Sequence, residues 1–111
     1  MSLLAVEAQI VRVCALSDIP AGSSRRFDVG AHRIALVRIG DDVYAIGDTC
    51  SHANASLSEG DVDEQDGYIE CHLHGAVFDV RTGAPLSLPA TRPVPTYEVH
   101  IEGTDVYVAI N

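Results

Sequence analysis

The chain has no lysine; all seven of its bases are arginine, against sixteen acids and a formal net charge of −9. This shortage of positive charge excludes a general nucleic-acid binder, whose affinity comes from Lys and Arg neutralising phosphates. The missing lysine itself reads as genomic compositional bias and supports no functional argument. Apolar runs are short, and none approaches the roughly 18 residues a membrane span needs. The opening Met1-Ser-Leu-Leu-Ala-Val-Glu-Ala-Gln-Ile10 lacks the basic n-region and apolar h-region of a secretory peptide. The expectation is a cytoplasmic protein with neither membrane nor nucleic acid among its partners. Cysteine is scarce too: Cys14, Cys50 and Cys71 are an odd set, which argues against a disulfide frame in a reducing compartment. Helix-period segments, internal repeats and low-complexity tracts are also absent.

What remains is ordinary globular material. At 111 residues, 47% hydrophobic and 21% charged, the chain suits one domain over 1–111, since domains typically run to about 100 to 150 residues. Period-2 alternation, bounded by Gly, Pro and Asp, predicts strands near 9–15, 24–28, 33–39, 43–47, 67–71, 76–80, 95–101 and 105–110. Eight short strands without a helix imply an all-β fold, a small antiparallel β-sandwich or barrel. Cys14 falls inside the first strand and reads as a packing residue.

The charge is unevenly distributed. Residues 1–40 carry a balance of +2, residues 71–111 one of −2, and residues 41–70 hold nine acids and no base. Two stretches in and beside this acidic third do not read as strands. Residues 48–60 and 71–76 are rich in small and polar residues, and they hold both remaining cysteines and three of the five histidines. Loops that carry thiols and imidazoles on a rigid scaffold are where function tends to sit.

The spacing is Cys50-x-His52, then eighteen residues, then Cys71-x-x-His74. Each loop offers one thiolate and one imidazole, and the hairpin leading to Cys71 can bring the loops together. Two sulfurs and two nitrogens suit a tetrahedral zinc or an iron–sulfur centre. Zinc sites of this composition usually pair like ligands within one element, whereas here each loop supplies one of each. A binuclear cluster, with cysteines on one iron and histidines on the other, accommodates that arrangement. Zinc stays open as the alternative at this point.

The segment Cys50-Ser-His52-Ala…Cys71-His-Leu-His74-Gly75 resembles the Rieske [2Fe–2S] signature, Cys-x-His…Cys-x-x-His-Gly. Val77-Phe-Asp-Val-Arg-Thr-Gly83, Asp18-Ile-Pro-Ala-Gly22 and Asp41-Asp-Val-Tyr-Ala-Ile46 also resemble segments of soluble Rieske ferredoxins, so the likeness covers most of the chain. It implies a Rieske-type β fold whose cluster-binding subdomain, about 46–83, is inserted in the β base. It also implies one [2Fe–2S] cluster, held by Cys50 and Cys71 on the buried iron and by His52 and His74 on the outer one. His72 reads as a bystander, although a shifted register would put it in place of His74. His32 and His100 read as turn and strand residues. The spacer is long for the family, and the surplus is expected at the hairpin tip, Glu64-Gln-Asp-Gly67.

Departures from the pattern sharpen the expected function. Respiratory members have an extra cysteine in each loop; here the matching positions are Ala55 and Leu73. They also place a serine and a tyrosine where this chain has Ala76 and Phe78. Lost hydroxyls and dense acid both lower the reduction potential. The resemblance therefore implies a low-potential, one-electron ferredoxin of a bacterial ring-hydroxylating oxygenase system. Its partners would be a flavin-dependent NAD(P)H ferredoxin reductase and a terminal non-haem iron oxygenase, and the chain would not itself be an enzyme. Ala53, Ala55, Gly75 and Ala76 would allow close approach of a partner, and Leu57, Leu73 and Pro89 would either shield the cluster or serve ordinary packing. Glu59, Asp61, Asp63, Glu64 and Asp66 form either a solvated hairpin or a docking field. Alternatives within the family are a ferredoxin for iron–sulfur assembly or a cytochrome P450, and a nitrite-reductase small subunit.

Overall fold

Strand β3 (His32–Ile39) carries the run Ile34-Ala-Leu-Val37, four consecutive residues with no exposure at all. A strand that faced one core would bury only every second residue, so an unbroken run needs apolar material on both faces. The computed structural model, which describes residues 9–51, 54–73, 75–88 and 90–110, supplies it. Ile34 and Leu36 enter one hydrophobic core with Cys14, Ile19, Val43, Ala45, Val106 and Val108. Ala35 and Val37 point the other way, into a second core with Ile46, Leu57, Ile69, Phe78, Val80 and Val94.

Three antiparallel sheets produce this arrangement. The central one has the order β2 (Ser24–Val29), β3, β4 (Asp42–Gly47), β8 (Thr96–Tyr97). One face packs on a sheet of order β1 (Gln9–Ala15), β10 (Asp105–Ile110), β9 (Val99–Glu102). The other face packs on β5 (Asp61–Asp63), β6 (Tyr68–Glu70) and β7 (Val77–Asp79). Each fully buried Ile, Leu, Val or Phe in these cores contributes roughly 1.5–3 kcal/mol. The β3–β4 hairpin turns in two residues, Gly40 and Asp41, with Ile39 opposite Asp42. Gly40 sits at φ +62°, the left-handed region such a turn requires.

The all-β expectation holds, with two differences in the strands. The predicted run 95–101 is two strands serving two sheets: Ala45 pairs with Tyr97 in the central sheet, and Val108 pairs with Val99 in the outer one. Glu98 lies at the crossing, where its carbonyl accepts from the Ala109 N–H at 2.9 Å. Periodicity sees one apolar–polar run there because both halves are extended. The second difference is β5, Asp-Val-Asp, where no strand is predicted. Aspartate is depleted in strands, and this strand forms because Val62 pairs opposite Ile69 of β6.

Cys14 occupies the predicted strand, and a β-bulge decides where it points. The register passes from Arg12–Tyr107 to Cys14–Val106, leaving Val13 without a cross-strand partner. Strict alternation would send neighbours Val13 and Cys14 to opposite faces; the bulge lets both contact the first core. Burial raises the Cys14 thiol pKa, Asp18 adds to the rise, and Arg12 and Arg25 only partly offset it. A raised pKa means less thiolate at a given pH. Iodoacetamide treatment of the folded protein near pH 8, followed by peptide mass spectrometry, should leave Cys14 unmodified. Labelling at the rate of the unfolded chain would contradict this assignment.

Gly83 closes the second core where the chain leaves β7. Its N–H donates to the Asp79 carbonyl at 2.7 Å and its carbonyl accepts from Val94 at 2.9 Å. It sits at φ +75°, and a Cβ there would collide with the Val94 carbonyl oxygen and press on Thr96 Cγ2 at 3.2 Å. Gly103 has φ +63° with nothing within 4 Å of such a Cβ. Gly83→Ala should therefore lower stability by roughly 2–4 kcal/mol, combining backbone and overlap costs, and Gly103→Ala by about 1–2 kcal/mol. Urea unfolding followed by circular dichroism measures both, and equal losses would show that the Val94 contact is unimportant.

Candidate metal centre

The two cysteine loops are built on the same plan. The first leaves β4 and is closed at its neck by an isolated bridge between Thr49 and Ser56. Inside that neck the Cys50 N–H donates to the Ala55 carbonyl at 2.9 Å. The second leaves β6, and the Cys71 N–H donates to the Ala76 carbonyl at 2.7 Å before β7 begins. In both, the cysteine N–H binds the carbonyl five residues on, so four residues of sequence lie between the two ends of each neck. Gly75 completes the second turn: its N–H donates to the Cys71 carbonyl at 2.9 Å, and its φ is +76°. His52 and His74 fall within the two sets of four. With Ala53 and Pro89, they lie outside the described residues.

Burial grades along each loop. Cys50 is 4% exposed and Cys71 1%, and both belong to the second hydrophobic core, with Leu57, Ile69, Ala76 and Phe78 around them. Asn54, His72 and Leu73 are exposed. The two cysteines thus sit at the base of their loops, while the described positions Asn54, His72 and Leu73 face solvent. That arrangement fits a centre with two inner thiolate ligands and two outer imidazole ligands. Thiolates are the soft donors an iron–sulfur cluster takes, and a pair buried in one apolar cluster from separate loops suits a group bridging them.

Other parts of the loops are tied down by polar contacts. Ser51 Oγ donates to the Arg92 carbonyl, fixing the first loop to the segment before β8. His72 Nε2 lies 3.8 Å from Glu59 Oε1, so the second loop reaches the short 3₁₀ turn Leu57–Glu59 that follows the first. Leu57, expected as a shield, is fully buried and packs in the core with both cysteines. Leu73 is half exposed, as a shield at the rim would be. Sequence reasoning passed over Leu86 and Leu88, which are 47% and 78% exposed beside β7. It also passed over Asp48, at 2% exposure the one buried charged side chain among the described residues. An aspartate following the largely apolar β4, two residues before Cys50, was the available signal for it.

Polar contacts tie down the acidic hairpin and the turn beside it. Arg38 Nη2 lies 3.7 Å from Asp41, and Arg81 Nη2 donates to the Asp66 carbonyl at 3.0 Å. Asp63 Oδ1 accepts from the N–H groups of Gln65 and Asp66, capping the hairpin tip. Glu64 turns back toward the base, where the Gly40 N–H lies 3.4 Å from its Oε2. Glu59, Asp61, Asp63, Glu64 and Asp66 are all exposed.

Known proteins bear on this geometry directly. The Rieske [2Fe-2S] domain model matches residues 9–98. The 3-phenylpropionate/cinnamic acid dioxygenase ferredoxin subunit of Shigella boydii serotype 4 is 47% identical over 98 residues, 88% of this chain and 91% of the relative. The ferredoxin of carbazole 1,9a-dioxygenase from Nocardioides aromaticivorans IC177 superposes with a TM-score of 0.90 at 45% identity, over 93% of this chain and 99% of that one. A ferredoxin chain solved in a complex of reduced oxygenase and oxidised ferredoxin in carbazole 1,9a-dioxygenase superposes at 0.82 with 48% identity, over 90% and 92%. With its two matched loops and a family match over most of its length, the chain belongs to the Rieske [2Fe-2S] domain family.

Proposed function

We propose that this protein is the one-electron carrier of a ring-hydroxylating dioxygenase system. It takes electrons from a flavin-dependent NAD(P)H ferredoxin reductase and delivers them to a terminal non-haem iron oxygenase in the cytoplasm. Support comes from relatives at 45–48% identity that are ferredoxins of dioxygenases, one of them solved with its oxygenase. The observation that carries the reading is the pair of equivalent necks that bury Cys50 and Cys71 in one core. Residues 46–83 form the cluster-binding subdomain in this reading, and one domain spans 1–111.

Cys50 and Cys71 hold the inner side of the cluster and His52 and His74 the outer side. When bound, the cluster supplies a reversible one-electron couple. The chain itself does three things. The core around the cysteines keeps water from the sulfurs. Ala76 and Phe78, both fully buried at the exit of the second loop, offer no side-chain hydroxyl toward them. Withheld hydrogen bonds leave the reduced, more negative state less stabilised, which keeps the potential low. The small residues Ala55 and Gly75, with half-exposed Leu73, leave the rim open to a partner surface. The exposed acids from Glu59 to Asp66 present one sign of charge to a basic patch on that partner.

The purified protein should be red-brown, with a Rieske-type reduced-state EPR signal and a midpoint potential at the low end of the family span, roughly −150 mV. A colourless zinc protein, or a potential above about +100 mV, would overturn this reading. His74→Cys should alter the EPR signal, whereas His72→Ala should leave it unchanged; the reverse result would make His72 the ligand. Charge steering makes encounter faster at low salt. Stopped-flow transfer to the oxygenase should slow several-fold between low salt and about 0.5 M NaCl, and a flat profile would remove the docking role from the acidic hairpin.

A further inference from the structure

Asp48 is an acidic residue, buried and placed between the central sheet and the first cysteine loop. Its N–H donates to the Arg33 carbonyl of β3 at 2.9 Å, and its carbonyl accepts from the Leu57 N–H at 2.6 Å. Its side chain spans the neck of the loop. Oδ1 accepts from the Ser58 N–H at 2.9 Å, and Oδ2 accepts from the Ser56 hydroxyl. The Ser56 and Ser58 hydroxyls are 2.8 Å apart, and Ser24 Oγ donates to the Ser58 carbonyl at 2.8 Å, linking the network to β2. The limb entering the loop is thereby bound to the limb leaving it, immediately outside the Thr49–Ser56 bridge.

A hydrogen-bonded clasp at this position needs a side chain with two acceptors, and a neutral group could make much of it. A carboxylate brings a negative charge as well, and burying one is costly unless it is paired or fully hydrogen-bonded. Both oxygens here accept hydrogen bonds, but no ion pair among the described residues involves Asp48. Arg26, which lines the same shallow cleft as Asp48, is 3.0 Å from Asp28 instead. A fixed charge in a low-dielectric setting acts more strongly than an exposed one, and dissolved salt screens it far less.

We propose that Asp48 is a positioning residue for the first cysteine loop and a built-in negative charge that disfavours the reduced state. The proposal rests on the electron-carrier reading above, since it needs a cluster two residues away at Cys50. It separates two sources of acidity that the net charge merges. The hairpin acids act on partners through solvent, whereas Asp48 acts on the redox centre from inside.

The test is an EPR-monitored redox titration of the cluster-loaded, full-length protein at low salt and at about 0.5 M NaCl. Asp48→Asn keeps the shape and removes the charge; Asp48→Ser is a second neutral variant in case the first loses the cluster. Either should raise the reduced-to-oxidised ratio at fixed poise on the order of tenfold, equivalent to about 59 mV upward for one electron. The rise should be the same at both salt concentrations. Ser56→Ala keeps the charge and breaks one side of the clasp. It should move the ratio less than about threefold while cluster loss on heating quickens by at least that factor. Asp48→Glu should likewise hold the wild-type ratio and lose cluster faster. Neutral variants with the wild-type potential would overturn the proposal, as would a shift abolished by salt or a Ser56→Ala shift as large as theirs. The wild type's own cluster spectrum, recorded first, distinguishes these failures from failure of the electron-carrier reading.

Discussion

Burial of β3 on both faces is the constraint on which the other parts rest. Ile34 and Leu36 complete the core toward β1 and β10, while Ala35 and Val37 complete the core toward β5, β6 and β7. Because neighbouring residues serve different cores, a slip of one register position would exchange the two sets and disturb both. The β3–β4 pairing fixes Gly47 opposite Ile34, and Asp48 follows with its N–H on the Arg33 carbonyl. The first cysteine loop is therefore anchored to the most buried strand of the molecule. The second is anchored through Ile69 and Phe78, which face each other across β6 and β7 and enter the same core.

This layout keeps the Cys50 and Cys71 sulfurs away from water at the base of two loops that open toward solvent at Asn54 and Leu73. The necks keep Cys50 and Cys71 at core depth, while the described loop positions Asn54, His72 and Leu73 are exposed. Leu73 of the second loop and Leu86 and Leu88 beyond β7 are exposed, and the acidic hairpin follows the 3₁₀ turn after the first loop.

Much of this was legible in the sequence. The two cysteine loops announced themselves because Cys-x-His and Cys-x-x-His-Gly are local patterns, readable without knowing what packs against them. Strands β1, β2, β3, β4 and β10 were read nearly to their ends because alternation and turn residues are local too. The segment 95–101 was misjudged as one strand, since a change of sheet at Glu98 leaves the extended backbone intact and alters only the partner. Strand β5 was missed because two aspartates in three residues give no strand signal, and Val62 becomes a strand residue only opposite Ile69. Leu57 could be weighed as shield or core but not decided, because hydrophobicity is the same in either place.

Charge shows the division most clearly. Composition alone established the acidic excess and its concentration in residues 41–70. It also established the chemistry of the donor set, because thiol and imidazole identities are properties of residues. Which acids lie in solvent and which is buried was settled only by the fold. Asp48 and Asp61 are the same residue type in the same acidic third, yet the first is enclosed by Ser56, Ser58 and β3 while the second is exposed. The physical reason is that sequence specifies the charge, whereas its surrounding dielectric is made by residues distant along the chain.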